Sequence, residues 1–330
     1  MRPPLLLLAT AVASLPATTA APGATLDAAT FAGPPGSPGL AQPSTPPDTT
    51  TPRLVILGTG TPNADPDRWG PAVAVVAGGR AYLVDAGAGV VRRAAAAARD
   101  HEIAALSPEG LDRLFVTHLH SDHTVGLPDL ILSPWVLDRP EPLLIFGPPG
   151  TAAMAAHIEE AWREDIHMRL FGLEPRDANA DAYRAPVTET TGGLVYEDEH
   201  VRVTAIPVLH GSWPHALGYR FDAGGRSIVI SGDARPSESL VEACDGCDVL
   251  VHEVYSAEAF QRRPHVWQAY HARSHTSTVE LAELAGRARP GLLVLYHQLY
   301  WGATDEDLVR EIREAGYTGR VVSAADLDVY

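Results

Sequence analysis

A histidine-rich segment, Thr117-His118-Leu119-His120-Ser121-Asp122-His123, constrains the fold of this 330-residue chain more than any other feature. It directly follows Leu114-Phe115-Val116, an apolar stretch that is typical of a buried strand. A loop at the end of a strand brings several side chains to one point on a rigid scaffold. Neutral imidazoles and carboxylates are ligands that Zn²⁺ accepts, and the alternation of the four donors predicts positions for two metal ions.

The four donors of this segment are too few for two coordination shells, so distant ligands are required. Three candidates each follow the C-terminal end of a predicted strand: His210 after 204–209, Asp233 after 227–232 and His297 after 292–296. A single histidine after a strand is more often part of the scaffold than a ligand. The shared placement of these three residues favours a common metal centre.

Composition excludes several classes of protein. All 25 basic residues are arginine, which excludes a Schiff-base lysine, a Walker-type phosphate lysine and a Ser-Lys dyad. The net charge of −16 argues against a nucleic-acid partner held mainly by phosphate contacts. The two cysteines, Cys244 and Cys247, are too few for a Cys₄ zinc site, and the sequence leaves open whether they form a disulfide.

The N-terminal part of the chain differs in composition from the rest. Residues 1–21 combine Arg2, a short apolar stretch and small residues near Ala20, which predicts an export signal peptide. Residues 22–52 are rich in Pro, Thr, Ala and Gly and predict a disordered linker. The apolar stretch is shorter than the roughly 20 residues of a spanning helix, so we expect a periplasmic or secreted protein without stable membrane association.

Strands and helices are predicted in two groups between Arg53 and the end of the chain. Strands are predicted at 54–57, 73–77, 81–84, 114–116, 143–146, 201–207, 216–221, 226–230, 249–251 and 292–296. Helices are predicted at 88–99, 124–134, 150–162, 237–243, 278–287 and 305–314. This order favours two sheets packed face to face with helices outside over a single doubly wound sheet. We therefore predict one α/β domain at 53–330.

These residues resemble the metallo-β-lactamase superfamily, in particular the branch with ribonuclease Z and with arylsulfatase-like and phosphodiesterase-like hydrolases. The resemblance covers 53–330. It rests on motifs in the family's order: Leu57-Gly58-Thr59-Gly60-Thr61-Pro62, Val84-Asp85-Ala86-Gly87, His118 to His123, His210 with Gly218-Tyr219-Arg220-Phe221, Ser231-Gly232-Asp233, His252-Glu253, His275-Thr276-Ser277 and Tyr296-His297. It implies an αββα sandwich of two mixed β-sheets flanked by helices, with the metals at one end of the sheets.

The resemblance also implies how the candidate ligands are shared between two zinc ions. The first ion would be held by His118, His120 and His210, the second by Asp122, His123 and His297, and Asp233 would bridge both. Two such ions share a hydroxide, which is the nucleophile at neutral pH. Mn²⁺ and Fe²⁺ remain alternatives, because histidine and aspartate ligands accept all three metals.

Three residues are predicted to assist catalysis. Asp122 would orient the hydroxide and take up a proton, and His275 would donate a proton to the leaving group or bind an anionic oxygen. Glu253 would orient His275. A purely structural hydrogen bond is the alternative for His275, and bracing of the sheet is the alternative for His252-Glu253. Asp85 is expected to support a ligand or cap a turn rather than to bind metal.

Ribonuclease Z enzymes carry a long basic arm between the residues that match His210 and Asp233. Here only residues 211–232 lie between them, and two predicted strands occupy that stretch. We therefore expect no tRNA partner. The resulting prediction is an exported dinuclear zinc hydrolase that cleaves a small anionic ester, either a phosphodiester or an aryl sulfate. Trp213 and Trp301 are predicted to line the substrate pocket.

Two other functions stay open. A lactam or lactone hydrolase is the first, although the β-lactamase branch departs from Asp233 and from the His275 motif. A metal-binding protein without catalytic activity is the second. A homodimer is compatible with either function.

Overall fold

The computed structural model describes residues 51–174 and 179–330. The predicted signal peptide, 1–21, and all but the last two residues of the predicted linker, 22–52, lie outside the described residues. Among the described residues, no helix is both long enough and apolar enough to cross a membrane.

The first sheet contains six strands that lie side by side in sequence order. They are β1 (Arg53–Gly58), β2 (Ala72–Ala77), β3 (Arg80–Val84), β4 (Arg113–Phe115), β5 (Leu144–Gly147) and β6 (Val187–Glu189). Strands β1 to β3 are antiparallel, and a tight turn at Gly78-Gly79, where both residues have positive φ, joins β2 to β3. Strands β3 to β6 are parallel and are joined through helices, as parallel strands require.

The second sheet contains seven strands and, like the first, has an antiparallel part and a parallel part. They are β7 (Gly193–Glu197), β8 (Val201–Val208), β9 (Ala216–Ala223), β10 (Arg226–Ile230), β11 (Val249–Tyr255), β12 (Leu292–Leu299) and β13 (Val321–Ser323). Strands β7 to β10 are antiparallel, and β10 to β13 are parallel. Both sheets are therefore mixed.

Helices cover the outer faces of the two sheets. In the described residues they are α1 (Val90–Asp100), α2 (Ser121–Thr124), α3 (Leu127–Val136), α4 (Thr151–Ala161), α5 (Arg163–Phe171), α6 (Glu238–Cys244), α7 (Ala257–Phe260), α8 (His265–Ser274), α9 (Thr278–Ala288) and α10 (Asp305–Glu314). Capping boxes at Ser277 and Thr304 start α9 and α10. The stretch 124–134, predicted as one helix, contains the end of α2 and most of α3, which Gly126 separates.

Three apolar layers hold the sheets and helices together. Along β1, Leu54 and Ile56 pack between the two sheets, whereas Val55 and Leu57 pack under α1 and α3. This alternation follows from the two-residue period of a strand. A third layer joins the second sheet to α6, α9 and α10. The predicted αββα sandwich is confirmed.

A buried arginine ties the loops of the first half together. Arg139 is completely buried and donates five hydrogen bonds of 2.7–3.2 Å, all to backbone carbonyls: Leu111, Leu130, Ile131, Glu141 and Ala182. Its planar guanidinium satisfies acceptors from separate segments at once. In the second half, Cys244 and Cys247 form a disulfide at the end of α6, with an S–S distance of 2.05 Å.

Candidate metal centre

The seven predicted metal ligands come from the ends of strands in both sheets. Six of them follow β4, β8 or β10, and the seventh lies within β12, near its end: His118, His120, Asp122, His123, His210, Asp233 and His297. All but His120 and Asp122 are fully buried. Residues that are up to 179 positions apart therefore meet at one end of the sandwich, as the shared placement after strands predicts.

A β-bulge in β12 turns His297 toward this site. In the pairing with β11, Glu253 lies opposite Tyr296 and Val254 lies opposite Gln298, so His297 is the extra residue. Its φ is 46°, in the left-handed region that non-glycine residues seldom adopt. Bulges re-aim side chains next to active sites, and this one explains how a residue within a strand joins a cluster at the strand ends.

The first group of donors consists of three imidazoles and one carboxylate. Nδ1 of His120 lies 2.9 Å from Nε2 of His118 and 3.1 Å from Nε2 of His210. Oδ2 of Asp233 lies 3.9 Å from Nε2 of His118 and 3.7 Å from Nε2 of His210. The donor atoms of this group all lie within 4.8 Å of one another.

The second group lies on the other side of Asp233. Nε2 of His123 is 3.5 Å from Oδ2 of Asp122 and 3.3 Å from Oδ1 of Asp233. Nε2 of His297 is 3.3 Å from the same Asp122 oxygen, and its Nδ1 is 3.4 Å from Oδ1 of Asp233. The two carboxylate oxygens of Asp233 thus face different groups, which is the arrangement that a bridging ligand needs.

The donor set fits a divalent cation such as zinc. Ligand atoms at 2.0–2.1 Å from a tetrahedral Zn²⁺ lie about 3.3 Å apart, close to most of these distances. Nε2 of His123, Oδ1 of Asp233 and Nδ1 of His297 are buried and have no hydrogen-bond partner among the described residues. Buried polar atoms without a partner are costly, and a metal ion would satisfy those that face it.

Comparison with known proteins gives the family. Residues 80–298 match a family model described as a beta-lactamase superfamily domain. The chain belongs to the metallo-β-lactamase superfamily. The predicted enzyme class, a metal-dependent hydrolase that acts on ester bonds, is confirmed at the level of the family.

Curated relatives in this superfamily are similar over nearly their whole length. A protein named ribonuclease Z from Mycobacterium bovis is 34% identical over 281 residues, which cover 83% of this chain and 96% of the relative. A protein of the same name from Mycobacterium avium is 36% identical over 278 residues, with the same two coverages.

Solved structures show the same superfamily fold. The metallo-β-lactamase fold protein YhfI from Bacillus subtilis superimposes with a TM-score of 0.64 at 16% identity, covering 84% of this chain and 98% of that one. The short form of human tRNase Z gives 0.60 at 24% identity, with coverages of 84% and 98%. At these identities the likeness concerns the fold alone.

Asp85 fixes the orientation of two ligands in this metallo-β-lactamase site. Its carboxylate accepts hydrogen bonds from Nδ1 of His123 (2.7 Å), and from the backbone N–H and hydroxyl of Thr117 (2.8 Å each). Because the Thr117 hydroxyl donates to Asp85, its oxygen accepts a hydrogen bond from Nδ1 of His118 at 3.0 Å. In both histidines Nε2 is thereby left without a proton and is available to a metal ion. The expected supporting role of Asp85 agrees with this geometry, whereas the relay through Thr117 was not foreseen.

The other two histidines of the first group differ in how they are held. Nδ1 of His210 donates to the carbonyl of Ser274 (2.7 Å), which again leaves Nε2 without a proton. His120 is reversed: its Nδ1 faces the site, and its Nε2 accepts a 2.8 Å hydrogen bond from the indole N–H of Trp213. The indole is only a donor, so this contact favours the form of His120 with its proton on Nδ1, where it donates to Nε2 of His118.

Burial and mutual charge set the protonation of the cluster. Burial lowers the pKa of His118, and lowers that of His120 to about 4, so both are neutral, as ligands must be. For His123, burial is outweighed by the nearby carboxylates of Asp233 and Asp85, which raise its pKa. The surrounding imidazoles in turn outweigh the burial of Asp233 and lower its pKa.

Gly232 permits the approach of Asp233 to the cluster. Its φ is 60°, and a Cβ there would lie 2.7 Å from the carbonyl oxygen of Leu217 and 2.8 Å from Cβ of Thr117. Both the backbone conformation and the close contact require glycine. The Ser231-Gly232-Asp233 motif thus has a steric reason beyond its carboxylate.

His275 and Glu253 lie next to the cluster. Nδ1 of His275 is 3.4 Å from Oε1 of Glu253 and 3.9 Å from Oδ2 of Asp233, without a hydrogen bond to either. The same Glu253 oxygen accepts hydrogen bonds from the backbone N–H groups of Ala234 and Thr276. Glu253 therefore ties together the loops that carry Asp233 and His275. Burial raises the pKa of Glu253 and favours its protonated form.

A cavity of about 380 Å³ opens onto the cluster. Asp122, Asp233, His275 and His297 contribute to its lining, and so does Trp301. Trp213 instead lines a neighbouring depression beside His120. Further lining residues come from the 256–274 segment, whose contribution sequence reasoning missed because it lacks a clear apolar period.

Proposed function

We propose that the chain is an exported dinuclear zinc hydrolase that cleaves a small anionic ester, a phosphodiester or an aryl sulfate. The observation that carries the proposal is the convergence of seven donors at one end of the sandwich, where four of them line a cavity together with His275. When bound, two divalent ions supply an activated water and compensate the negative charge of the reacting ester.

The chain's own residues then have distinct tasks. Asp233 presents one oxygen to each donor group and so sets the distance between the two positions. Asp122, beside both His123 and His297, is placed to orient a water and to accept its proton. His275 lines the cavity, and its Nδ1 makes no hydrogen bond, so the imidazole is placed to donate to an oxygen of the ester or of its leaving group.

The connection between His210 and Asp233 supports a small substrate. Residues 211–232 are taken up by β9, β10 and their turn at Gly224-Gly225, so no arm extends from this stretch. The net charge of −16 would also repel a polyanion. The relatives named ribonuclease Z favour RNA as a second candidate substrate, and the experiment below includes it.

Export is the further part of the proposal. It rests on the composition of residues 1–21, with an arginine, a short apolar stretch and small residues at the expected cleavage position. Mass spectrometry of the protein recovered from cell fractions tests it. A mature N-terminus near residue 21 outside the cytoplasm supports export, and an intact N-terminus in the cytoplasm contradicts it.

The catalytic proposal is tested on purified protein by elemental analysis and a substrate panel. The panel contains a bis-aryl phosphate, an aryl sulfate, a lactone, a β-lactam and a precursor tRNA. Two zinc ions per chain and turnover of an anionic ester, lost in Asp233→Ala, support the proposal. Asp181→Ala makes the same change at a side chain that is 81% exposed, and it is the matched control.

The other outcomes separate the alternatives. Turnover of the lactone or lactam alone identifies the second hydrolase class. Cleavage of the precursor tRNA at a higher kcat/KM than any small ester overturns the substrate assignment. Two zinc ions without turnover favour a metal-binding role, and fewer than one metal per chain after reconstitution refutes the dinuclear site.

A further inference from the structure

One wall of the active-site cavity, beside the candidate metal ligands, is aromatic and carries one cation. It comes from the segment between α7 and α8, from α8 itself and from the loop after β12, and consists of Arg263, Trp267, Tyr270, His271 and Trp301. Trp267 and Tyr270 are 48% and 40% exposed, and their ring centroids lie 5.9 Å apart, so the two rings form a contiguous exposed aromatic patch.

The rings of this wall form a continuous set. His271 lies 4.5 Å from Trp301 between ring centroids, and it stacks on Trp267 at 5.9 Å with an interplanar angle of 29°. The guanidinium of Arg263 lies over the Trp301 ring at 5.2 Å, in cation–π contact. A planar group that enters the cavity therefore meets ring faces beside a positive charge.

Arg263 has no anionic partner among the described residues. Its Nε is buried and makes no hydrogen bond, and Nδ1 of the neighbouring His271 is likewise buried without a partner. Arg68, near the same end of the fold, is different: it lies over Tyr300 but is neutralised by Asp305 at 2.9 Å. Among the described residues that line the cavity, Arg263 is the one arginine.

We propose that Arg263, Trp267 and Trp301 form a leaving-group subsite for an aromatic alcohol with an anionic substituent, such as a carboxylate. The ring of the alcohol stacks on the tryptophans, and its anion accepts charge-assisted hydrogen bonds from Arg263. This subsite rests on the proposed function, since the ester group itself lies at the metal ligands. Hydrolysis adds one water across the ester bond, and the aromatic alcohol leaves with the proton.

The test uses two methyl aryl phosphates that differ only in the substituent. One has a 3-carboxy-4-nitrophenyl leaving group, and the other has its neutral isostere, 3-carbamoyl-4-nitrophenyl. The measured quantity is the ratio of their kcat/KM values in the zinc-loaded wild type, in Arg263→Gln, in Arg263→Lys and in Arg262→Gln. Arg262 is the matched control, because it is adjacent, exposed and not part of the cavity wall.

We expect the carboxylate substrate to lose about 10-fold more kcat/KM than the carboxamide in Arg263→Gln, the range of a hydrogen bond to a charged group. Arg263→Lys should restore part of the ratio, and Arg262→Gln should keep the wild-type ratio. Equal losses for the two substrates in Arg263→Gln would overturn the subsite while leaving the proposed function intact.

Binding of the product alcohols separates the two proposals. Calorimetry with 5-hydroxy-2-nitrobenzoate and with 5-hydroxy-2-nitrobenzamide needs no turnover. If neither ester is hydrolysed but the wild type binds the benzoate and Arg263→Gln does not, the subsite stands and the proposed reaction fails. If the benzoate and the benzamide bind wild type equally, or neither binds, the subsite is refuted.

Discussion

Asp85 controls the protons of two candidate metal ligands at once, which makes it the most informative residue to change. It accepts directly from His123 and, through the hydroxyl of Thr117, indirectly from His118. These two histidines belong to different donor groups. One carboxylate, 2% exposed, therefore leaves Nε2 unprotonated in both groups.

Asp85→Asn keeps the size of the side chain but replaces one acceptor by a donor. If the amide oxygen faces His123, the amide NH₂ faces the backbone N–H of Thr117, and two donors meet. If the amide is turned, NH₂ faces Nδ1 of His123, and the histidine must move its proton to Nε2, where it blocks the metal. Loss of such a supporting partner costs about 10–100-fold in metal affinity, or about 1.4–2.7 kcal/mol.

The assay is competition for zinc between the protein and a chromophoric chelator, with elemental analysis after dialysis. Thermal unfolding of the metal-free variant separates a folding defect from a weaker site. Asp181→Asn is the control for the same chemical change at an exposed position. Thr117→Val interrupts only the relay to His118, so it should weaken one donor group and spare the other. Zinc affinity within about twofold of the wild type in Asp85→Asn would refute the reasoning.

Three further predictions follow from single contacts. Arg139→Met should lower the free energy of unfolding by about 3 kcal/mol or more in chemical denaturation, because five backbone carbonyls lose this donor and four of those hydrogen bonds are buried; Arg184→Met, at an exposed position, should not. Trp213→Phe should raise zinc affinity, up to about 10-fold in chelator competition, because the indole no longer favours the Nδ1-protonated form of His120; unchanged or weaker binding contradicts this. Burial opposes ionisation of Asp198, but hydrogen bonds from backbone N–H groups and tyrosines outweigh burial and lower the pKa of this carboxyl. The ionised carboxylate therefore stabilises the fold above about pH 4, and this stabilisation is lost as the pH falls through the lowered pKa. Between about pH 5 and pH 3, Asp198→Asn should lose less stability than the wild type.

The cluster of candidate ligands was accessible from the sequence because the donors follow or end strands with a strong apolar pattern. Strands such as 204–209 and 292–296 are almost entirely apolar, so their ends are easy to place. Parallel and mixed sheets bring such ends to a common edge, and His210, Asp233 and His297 meet there for this reason. A cluster of donors of this kind can be predicted from the positions of strand ends and from the residue types that follow them.

The elements missed by sequence reasoning have no period to detect. Strand β7 is mostly exposed and begins at a glycine, and β6 and β13 have three residues each. Their formation depends on pairing with β8, β5 and β12, and not on their own pattern. Helix α8 mixes aromatic, charged and small residues, because one of its sides faces a cavity and not the core.

The hydrogen bonds that hold the candidate ligands were missed for a different reason. They depend on the positions of individual atoms, which the residue types do not give. Thr117 and the carbonyl of Ser274 acquire their roles only when His118 and His210 adopt particular rotamers. His120 shows the consequence most clearly, since its partner is a donor where the other histidines have acceptors. A sequence can specify that a histidine binds metal, but the proton on its second nitrogen is set by whichever atom the fold places beside it.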